Sequence, residues 1–575
     1  MLKLVKSVAS QEKPTQASYP AYSSEKLTVE QERIPNMSEK MVAPELFRPP
    51  VDFPDVPYDH LLRMAAYRNP DRPAIIYHDL ILTYREVVSM VNSIANGLLK
   101  LGLTKGDRLC LFTLNRPEYT ITFIAAGSIG VVVSPMNPAY KEREIAYQLE
   151  NSEAKAILIQ RELLPLFQHV MTQKSLPNLK HIIVTGDKVP DGMPDAIPFA
   201  KLLRESSPKQ PSHIEISGDD LLALPYSSGT TGFPKGTLLT HRNLTSNNLQ
   251  FTTALRVDIT DVALIFLPFY HIYGVMLTGS FLACGGTQVM MERFDLLQSL
   301  ELCEKHSVTY YFAVPPIVLA LANAPVDLSR LKTVKYVFSG AAPLPMDPAR
   351  KLQEKTGIKV VQGYGLTEAS PLTHSQPGDP ALMRLDSVGM PVHNTEQKIV
   401  DIETGERELP HGEDGEIIIR GPQIMQGYWK APEETARALR NGWLYTGDIG
   451  HVDDDGYTYI VDRKKEMIKY KGFGIAPAEI ESLLMEHPAV MDSAVIGIPD
   501  DEAGELPKGF VVIRPGHSAT PEEILDFANG KLAGYKKIHM IEFIDAIPKV
   551  PSGKILRREL KEKEREKALR AREQM

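Results

Sequence analysis

The sequence predicts an α/β protein. A large N-terminal domain layers helices on parallel sheets and adds a β-rich subdomain, and a small α+β domain follows at the C-terminal end. Three observations predict this. Short Val- and Ile-rich runs alternate with stretches of helical spacing from about residue 50 to 395, the pattern of parallel strands covered by helices. After about 395 the texture becomes alternating strands broken by Gly-rich turns, as in EQKIVDIETGERELPHGEDGEIIIRGP. Around 462 it changes again, to helix, strand and helix up to about 550.

The elements follow in order. Residues 1–45 are polar, rich in Ser, Glu, Lys and Gln, with no sustained period. Such a segment buries too little apolar surface to order itself, so a disordered extension is expected. Met37 and Met41 leave a later start of translation open. The N-terminal domain is expected over 46–461. In it VDFPDVPYDHLLRMAAYRNPDRPAIIYHD reads as a helix, a Pro turn and a strand. LTYREVVSMVNSIANGLLKLG has apolar residues at helical spacing and stops at Gly102, a C-terminal cap. GDRLCLFTLN is a buried strand, and ITFIAAGSIGVVVSP (121–135) is a helix turning into another. KAILIQ, HIIVTG, TYYFAV and VKYVFSG continue the series. The C-terminal domain is expected over 466–575, ending in LKEKEREKALRAREQM, a solvated surface helix.

Composition narrows the function. The net charge of −8 argues against a general nucleic-acid binder, which carries a basic surplus. Cys110, Cys284 and Cys303 form no CxxC pair and no metal-ligand spacing, which fits a reducing compartment. No apolar run is long enough for a transmembrane helix. The N-terminus lacks the apolar core of a secretory signal, and the C-terminal REQM is no peroxisomal address. A cytoplasmic location is expected, with loose membrane contact left open and the oligomeric state unread.

The chemistry begins at YSSGTTGFPKGT, residues 226–237. Two Ser, three Thr, three Gly and one Lys crowd into Ser227–Thr237. Backbone N–H groups of a Gly-rich turn converge on phosphate oxygens because Gly lacks Cβ, and hydroxyls and Lys235 add donors and charge. The spacing is not that of the nucleotide-triphosphatase loop, since Phe233 and Pro234 stand where its second Gly and its Lys belong.

Four further motifs follow in order: GYGLTEAS (363–370), YTGD (445–448), DRKKEMIKYKGF (462–473) and PKVPSGK (548–554). Together with the phosphate loop they resemble the signature motifs of the adenylate-forming superfamily: acyl- and aryl-CoA synthetases, firefly-type luciferases and peptide-synthetase adenylation domains. The resemblance covers nearly the whole chain from about 50 to 560 and is nearest to fatty acyl-CoA ligases and 4-coumarate-CoA-ligase-like enzymes. It implies that a carboxylate attacks the α-phosphate of ATP to give acyl-AMP and pyrophosphate, and that CoA thiol then displaces AMP. ATP, Mg²⁺ and coenzyme A are the implied cofactors, and a small-molecule carboxylate is the implied partner.

The resemblance also assigns residues. Ser227, Ser228, Gly229, Thr230, Thr231, Gly232 and Lys235 would cradle the β- and γ-phosphates. Thr367 would contact the α-phosphate and Glu368 would hold Mg²⁺, a cation that prefers hard oxygen ligands. Tyr364 would stack on adenine with Gly365 beside it, and Gly340, Ala341 and Ala342 of SGAAP would line the adenine pocket. Asp448 would accept hydrogen bonds from both ribose hydroxyls, with Arg463 also at the ribose. Asp462 to Lys465 match a hinge about which the C-terminal domain rotates between the half-reactions, making that domain mobile. Lys554 would bridge carboxylate and α-phosphate during adenylation. Lys469 would serve the second half-reaction, and Gly472 would border the pantetheine tunnel. His271, in LPFYHIYG, matches a histidine at the mouth of the acyl pocket.

One residue departs from the pattern. Coumarate ligases and luciferases usually read KGFQ, and here the stretch is KGFGIAP, with Gly474 in place of a Gln that helps orient the nucleotide. The acid pocket is expected between Tyr273, Gly274, Gly340 and Gly363. No basic residue stands ready for a second carboxylate. A hydrophobic monocarboxylate is expected, with a medium- to long-chain fatty acid placed ahead of an aryl acid. The other readings are an acyl-AMP ligase loading a carrier protein, a luciferase-like oxygenase, and a nucleotide-binding relative without catalysis.

Overall fold

A computed structural model describes residues 48, 50–189, 191–212, 214–227, 234–471, 473–500, 503–532, 534–550 and 553–573. The expected extension over 1–45 lies outside them. Among the described residues the large domain carries two extensive sheets. One is seven-stranded, in the order Lys359–Gln362, Tyr336–Ser339, Tyr310–Ala313, Val262–Ile265, Thr287–Met290, Pro73–Tyr77 and Leu80–Thr83. Its strands are parallel except the last, which pairs antiparallel with its neighbour. The second sheet is nine-stranded, with a parallel centre at Arg108–Phe112, Val132–Pro135 and Ala156–Ile159.

Local sequence explains the helices between them. Thr83 and Glu86 form a capping box that starts Tyr84–Lys100, and Thr240 and Asn243 do the same for His241–Ala254. The helix Ile272–Cys284 is buried on nearly all sides and stops at Gly285, whose φ of 86° suits the left-handed cap. Each large apolar side chain on it contributes roughly 1.5–3 kcal/mol by burial. The parallel strands Tyr310–Ala313, Tyr336–Ser339 and Lys359–Gln362 end in register. Their carboxyl ends run into Pro315, Gly340 and Gly363, the edge where open α/β sheets take ligands.

A three-stranded sheet of Tyr364–Gly365, Leu372–Ser375 and Met390–Pro391 follows. A five-stranded antiparallel sheet around Gly415–Arg420, Trp443–Val452 and Thr458–Arg463 completes the β-rich part. The C-terminal unit has its own sheet, built on the long hairpin of Val490–Asp500 and Gly504–Ile513. Its apolar core joins Ile468, Ile480, Leu484, Val495, Val511 and Ile524. The final helix, Arg557–Glu573, is more than a solvated rod. Leu560 is buried against Ala494 and Phe510, and Glu564 meets the buried Lys508 at 2.7 Å.

Candidate active site

The residues expected at the ribose and the metal come together at the edge of the β-rich part. Asp448 lies on the strand Trp443–Val452, directly across from Arg463 on Thr458–Arg463. Its carboxylate is 3 % exposed. It accepts a hydrogen bond from the Tyr364 hydroxyl at 2.5 Å and pairs with Arg463 Nε at 3.1 Å. A carboxylate offers about four lone-pair sites, so two partners leave acceptors for a cis-diol. Burial, reinforced by the Asp448 charge, raises the Tyr364 phenol well above its usual range, so it stays a donor. Gly365 is set by packing, since a Cβ there would lie 2.2 Å from the Pro371 carbonyl oxygen.

Glu368 sits in the 3₁₀ turn Thr367–Ala369. Its carboxylate accepts from the Tyr428 hydroxyl at 2.8 Å, and its carbonyl accepts from Met425 N at 2.8 Å. Tyr428 is a functional candidate that sequence reasoning missed. It lies on Gly427–Tyr428, which pairs with the strand Lys235–Thr240 leaving the phosphate loop. Lys235 Nζ stands 5.5 Å over the Tyr428 ring and 3.6 Å from Glu434. One tyrosine thus ties the lysine of the loop to the expected metal carboxylate. A Tyr following Gly in a strand of two residues gives no periodic signal to find it by. Strand Tyr226–Ser227 pairs with Lys235–Gly236 and closes the base of the loop. Ser228, Gly229, Thr230, Thr231, Gly232 and Gly472 lie outside the described residues.

Lys554 is half-buried. Burial lowers its ammonium below the usual lysine range and Arg463 adds to this, while Asp448, Glu466 and Glu368 oppose it. Those are the charges of the ribose and metal side, so Lys554 stands among them. It also acts on His271, which caps the helix Ile272–Cys284 and accepts from Tyr273 N at 3.3 Å. His271 is an exposed residue, yet protein atoms crowd its imidazole. Desolvation, followed by the Lys554 charge, brings it down to about 4, so His271 is neutral at pH 7.

Tyr273, Gly274, Gly340 and Gly363 are the residues expected around the acid. Tyr273 and Gly340 meet: a Cβ on Gly340 would lie 3.3 Å from the Tyr273 ring. The Tyr273 hydroxyl is buried and has no hydrogen-bond partner among the described residues, and the same holds for Ser339 Oγ beside Gly340. Gly274 and Gly363 are close-packed on the side where a Cβ would stand. A Cβ on Gly274 would fall 2.3 Å from the Pro268 carbonyl oxygen, and one on Gly363 would fall 2.3 Å from the Phe338 ring. Ala341 takes φ 73°, an uncommon left-handed turn for a residue with a Cβ, and Ala342 follows it half-buried.

The residues expected to act at the hinge and in the second step lie elsewhere. Asp462 is buried and caps the helix Pro477–Met485 by accepting from Ala478 N at 2.8 Å. Lys465 is exposed. Lys469 is exposed on the hairpin of Ile468–Tyr470 and Phe473–Ile475, opposite Gly474. Among the described residues no cluster of three or more His, Cys, Asp or Glu side chains could hold a metal alone. Glu368 fits a cation whose remaining ligands are phosphate oxygens and water. No described helix is long and apolar enough to cross a membrane.

Comparison with known proteins gives the family. Residues 62–429 match the AMP-binding enzyme model, and residues 479–554 match the AMP-binding enzyme C-terminal domain. The chain is 42 % identical over 492 residues to 4-coumarate–CoA ligase 1 of Petroselinum crispum, covering 83 % of this chain and 88 % of that one. ATP-bound MatB from Rhodopseudomonas palustris superposes with TM-score 0.81 at 30 % identity, covering 88 % of this chain and 99 % of that one. The anthranilate CoA ligase AuaEII in complex with anthranoyl-AMP gives TM-score 0.82 at 28 % identity, covering 90 % and 98 %. The chain belongs to the AMP-binding enzymes of the adenylate-forming superfamily and is an AMP-forming acid–CoA ligase that uses ATP and CoA.

Proposed function

We propose that the acid is an aryl acid of the hydroxycinnamate class, activated as its adenylate and passed to CoA. The observation that carries this is the buried Tyr273 hydroxyl with no partner, beside Gly340. A buried hydroxyl without a partner costs about 1–3 kcal/mol, so it favours a ligand that brings a polar group to it. A saturated fatty chain brings none. Identity of 42 % to a 4-coumarate–CoA ligase supports the same choice and moves the aryl acid ahead of the fatty acid.

In this reading the site's residues divide the first half-reaction. Asp448 and Arg463 hold the ribose, and the Asp448–Tyr364 bond fixes the ring that meets adenine. Lys554 neutralises the repulsion between the acid carboxylate and the α-phosphate, a charge effect worth several kcal/mol in a dry cleft. Glu368 would hold Mg²⁺, which when bound supplies charge neutralisation at the phosphates. Neutral His271 leaves the thiol and carboxylate path free of a second cation. Lys469 acts after the C-terminal unit has turned about Asp462–Lys465.

Specificity constants over benzoate, cinnamate, 4-coumarate, octanoate and palmitate test the acid. The proposal expects 4-coumarate and cinnamate to lead. Palmitate or octanoate ahead of both would restore the fatty-acid reading. Tyr273→Phe should cost 4-coumarate about 2- to 10-fold more than cinnamate, the worth of one neutral hydrogen bond.

A further inference from the structure

The hairpin that carries Lys554 has an anchored root and a docked tip. Its turn is closed by Val550 N to Lys554 O at 3.0 Å, Gly553 N to Val550 O at 2.8 Å and Leu556 N to Pro548 O at 2.8 Å. At the root, Lys549 Nζ meets both Asp492 carboxylate oxygens at 2.7 Å. On the other arm, Arg557 Nη2 holds both Glu481 oxygens at 2.8 and 2.7 Å. Bidentate pairs on both arms, one of them buried, make the hairpin move with the C-terminal unit as one piece.

The tip touches the large domain. Gly553 has φ 87°, and a Cβ built on it would lie 2.6 Å from Pro316 Cδ and 2.8 Å from Pro316 Cγ. Pro316 stands in the first turn of the helix Pro315–Asn323, where proline is preorganised and its missing N–H costs nothing. Pro315 is buried, whereas Pro316 is exposed and forms a ledge on the large domain. A pyrrolidine ring has no free rotor, so it meets the approaching hairpin as a fixed stop and not as a cushion. The helix follows directly on the strand Tyr310–Ala313, whose neighbour ends at Ser339 and Gly340 beside the acid pocket.

We propose that Pro316 is a positioning residue for the first half-reaction: it stops the closing C-terminal unit at Gly553 and so sets how deep Lys554 enters the cleft beside Arg463, Asp448 and Glu368. The contact belongs to the adenylating arrangement alone, and the second half-reaction does without it. The inference rests on the reading of Lys554 as the adenylation lysine. It also explains why glycine is needed twice at 553, once for its φ and once for the space Pro316 takes.

A double-mutant cycle on the full-length enzyme separates these two needs. Gly553→Ala, Pro316→Ala and the double variant are each assayed for acid-dependent pyrophosphate exchange. Each is also assayed for thioester formation from pre-formed acyl-AMP and CoA, which serves as the control for folding. Gly553→Ala should slow exchange about 10- to 100-fold, the cost of a misplacement on the order of 1 Å, with thioester formation unchanged. Pro316→Ala should recover at least about tenfold of that loss in the double variant, the sign of direct coupling. A double variant as slow as Gly553→Ala would leave only strain within the turn and overturn the proposal. So would a Gly553→Ala that exchanges at full rate or that slows both half-reactions equally. Lys554→Ala runs beside them: full-rate exchange in that variant would sink the underlying reading of Lys554, whereas slow exchange with no coupling in the cycle would sink the stop alone.

Discussion

The C-terminal unit carries two lysines on two short hairpins, and they differ in everything except residue type. Lys554 is half-buried, and the charges acting on it are those of Arg463, Asp448, Glu466 and Glu368. Lys469 is exposed, and the residue across the hairpin from it is Gly474. The Lys469 hairpin puts Ile468 and Ile475 into the core around Ile480 and Val495, whereas the Lys554 hairpin lays Ile547 and Ile555 on a second cluster with Ala494 and Phe510. In the proposed reading the unit presents one lysine to the nucleotide at a time. Asp462 links the two parts: its carboxylate accepts from Ala478 N in the first turn of Pro477–Met485, while its own strand belongs to the β-rich sheet.

The sharpest way to break the comparison is to remove each lysine and read the two half-reactions apart. Lys554→Ala should slow acid-dependent pyrophosphate exchange by about 10²–10³ and largely spare thioester formation from pre-formed acyl-AMP. Lys469→Ala should do the reverse. A Lys469 variant that slowed exchange as much as the Lys554 variant would end the division between them.

The large-domain half of the site is built by hydrogen bonds that need no rotation. Asp448→Ala should raise the KM for ATP about 10- to 100-fold, the worth of charged hydrogen bonds to the ribose, with Arg463 left unpaired. Tyr364→Phe keeps the ring and removes only the 2.5 Å bond to Asp448, so about a 2- to 10-fold rise is expected. Titrating initial rates against ATP for both variants ranks them, and equal effects would show that the ring's orientation and not the carboxylate sets affinity.

The lysine comparison also has a pH signature. Burial, followed by Arg463, depresses the Lys554 ammonium. A lowered pKa means the charge is lost at a lower pH than on an exposed lysine. The alkaline limb of kcat/KM for adenylation should therefore begin below the ordinary lysine range, and Lys554→Arg should push it upward because guanidinium stays charged. A limb unmoved by that substitution would assign it to another group.

The ordered motifs made the family legible in the sequence, and the alternation of Val- and Ile-rich runs with helical spacing made the α/β layering legible. The motifs also named Tyr364, Asp448 and Arg463, which the fold brings into contact. Tyr428 was not legible. Its role comes from pairing with a strand about 190 residues earlier, and two-residue strands leave no periodicity. The packing around two glycines was not legible for a related reason. Gly274 and Gly363 are expected beside the acid, and no linear pattern shows that the Pro268 carbonyl and the Phe338 ring stand where their Cβ would be. Pro316 and Gly553 are 237 positions apart and carry no joint signal, so only the docked hairpin reveals them.

The smallest expected effect concerns the residue by which this chain departs from its relatives' usual pattern. Gly474 faces Lys469 across the hairpin, is exposed, and has no left-handed φ that would demand glycine. Among the described residues a Cβ there would meet only the Met467 methyl, at 3.0 Å, the far end of a flexible side chain. Gly474→Gln should therefore fold normally and shift Tm by no more than about 2 °C, since exposed sites usually stay within ±0.5 kcal/mol. Strands disfavour glycine, so the sign should be slightly stabilising. If the Gln orients nucleotide as it does in the resembling ligases, the KM for ATP should fall with it. A variant that melts much earlier would mean that Met467 cannot yield and that glycine is structural here. One that folds but leaves the KM unchanged would mean that Tyr364, Asp448 and Arg463 already hold the nucleotide without help from the second lysine's hairpin.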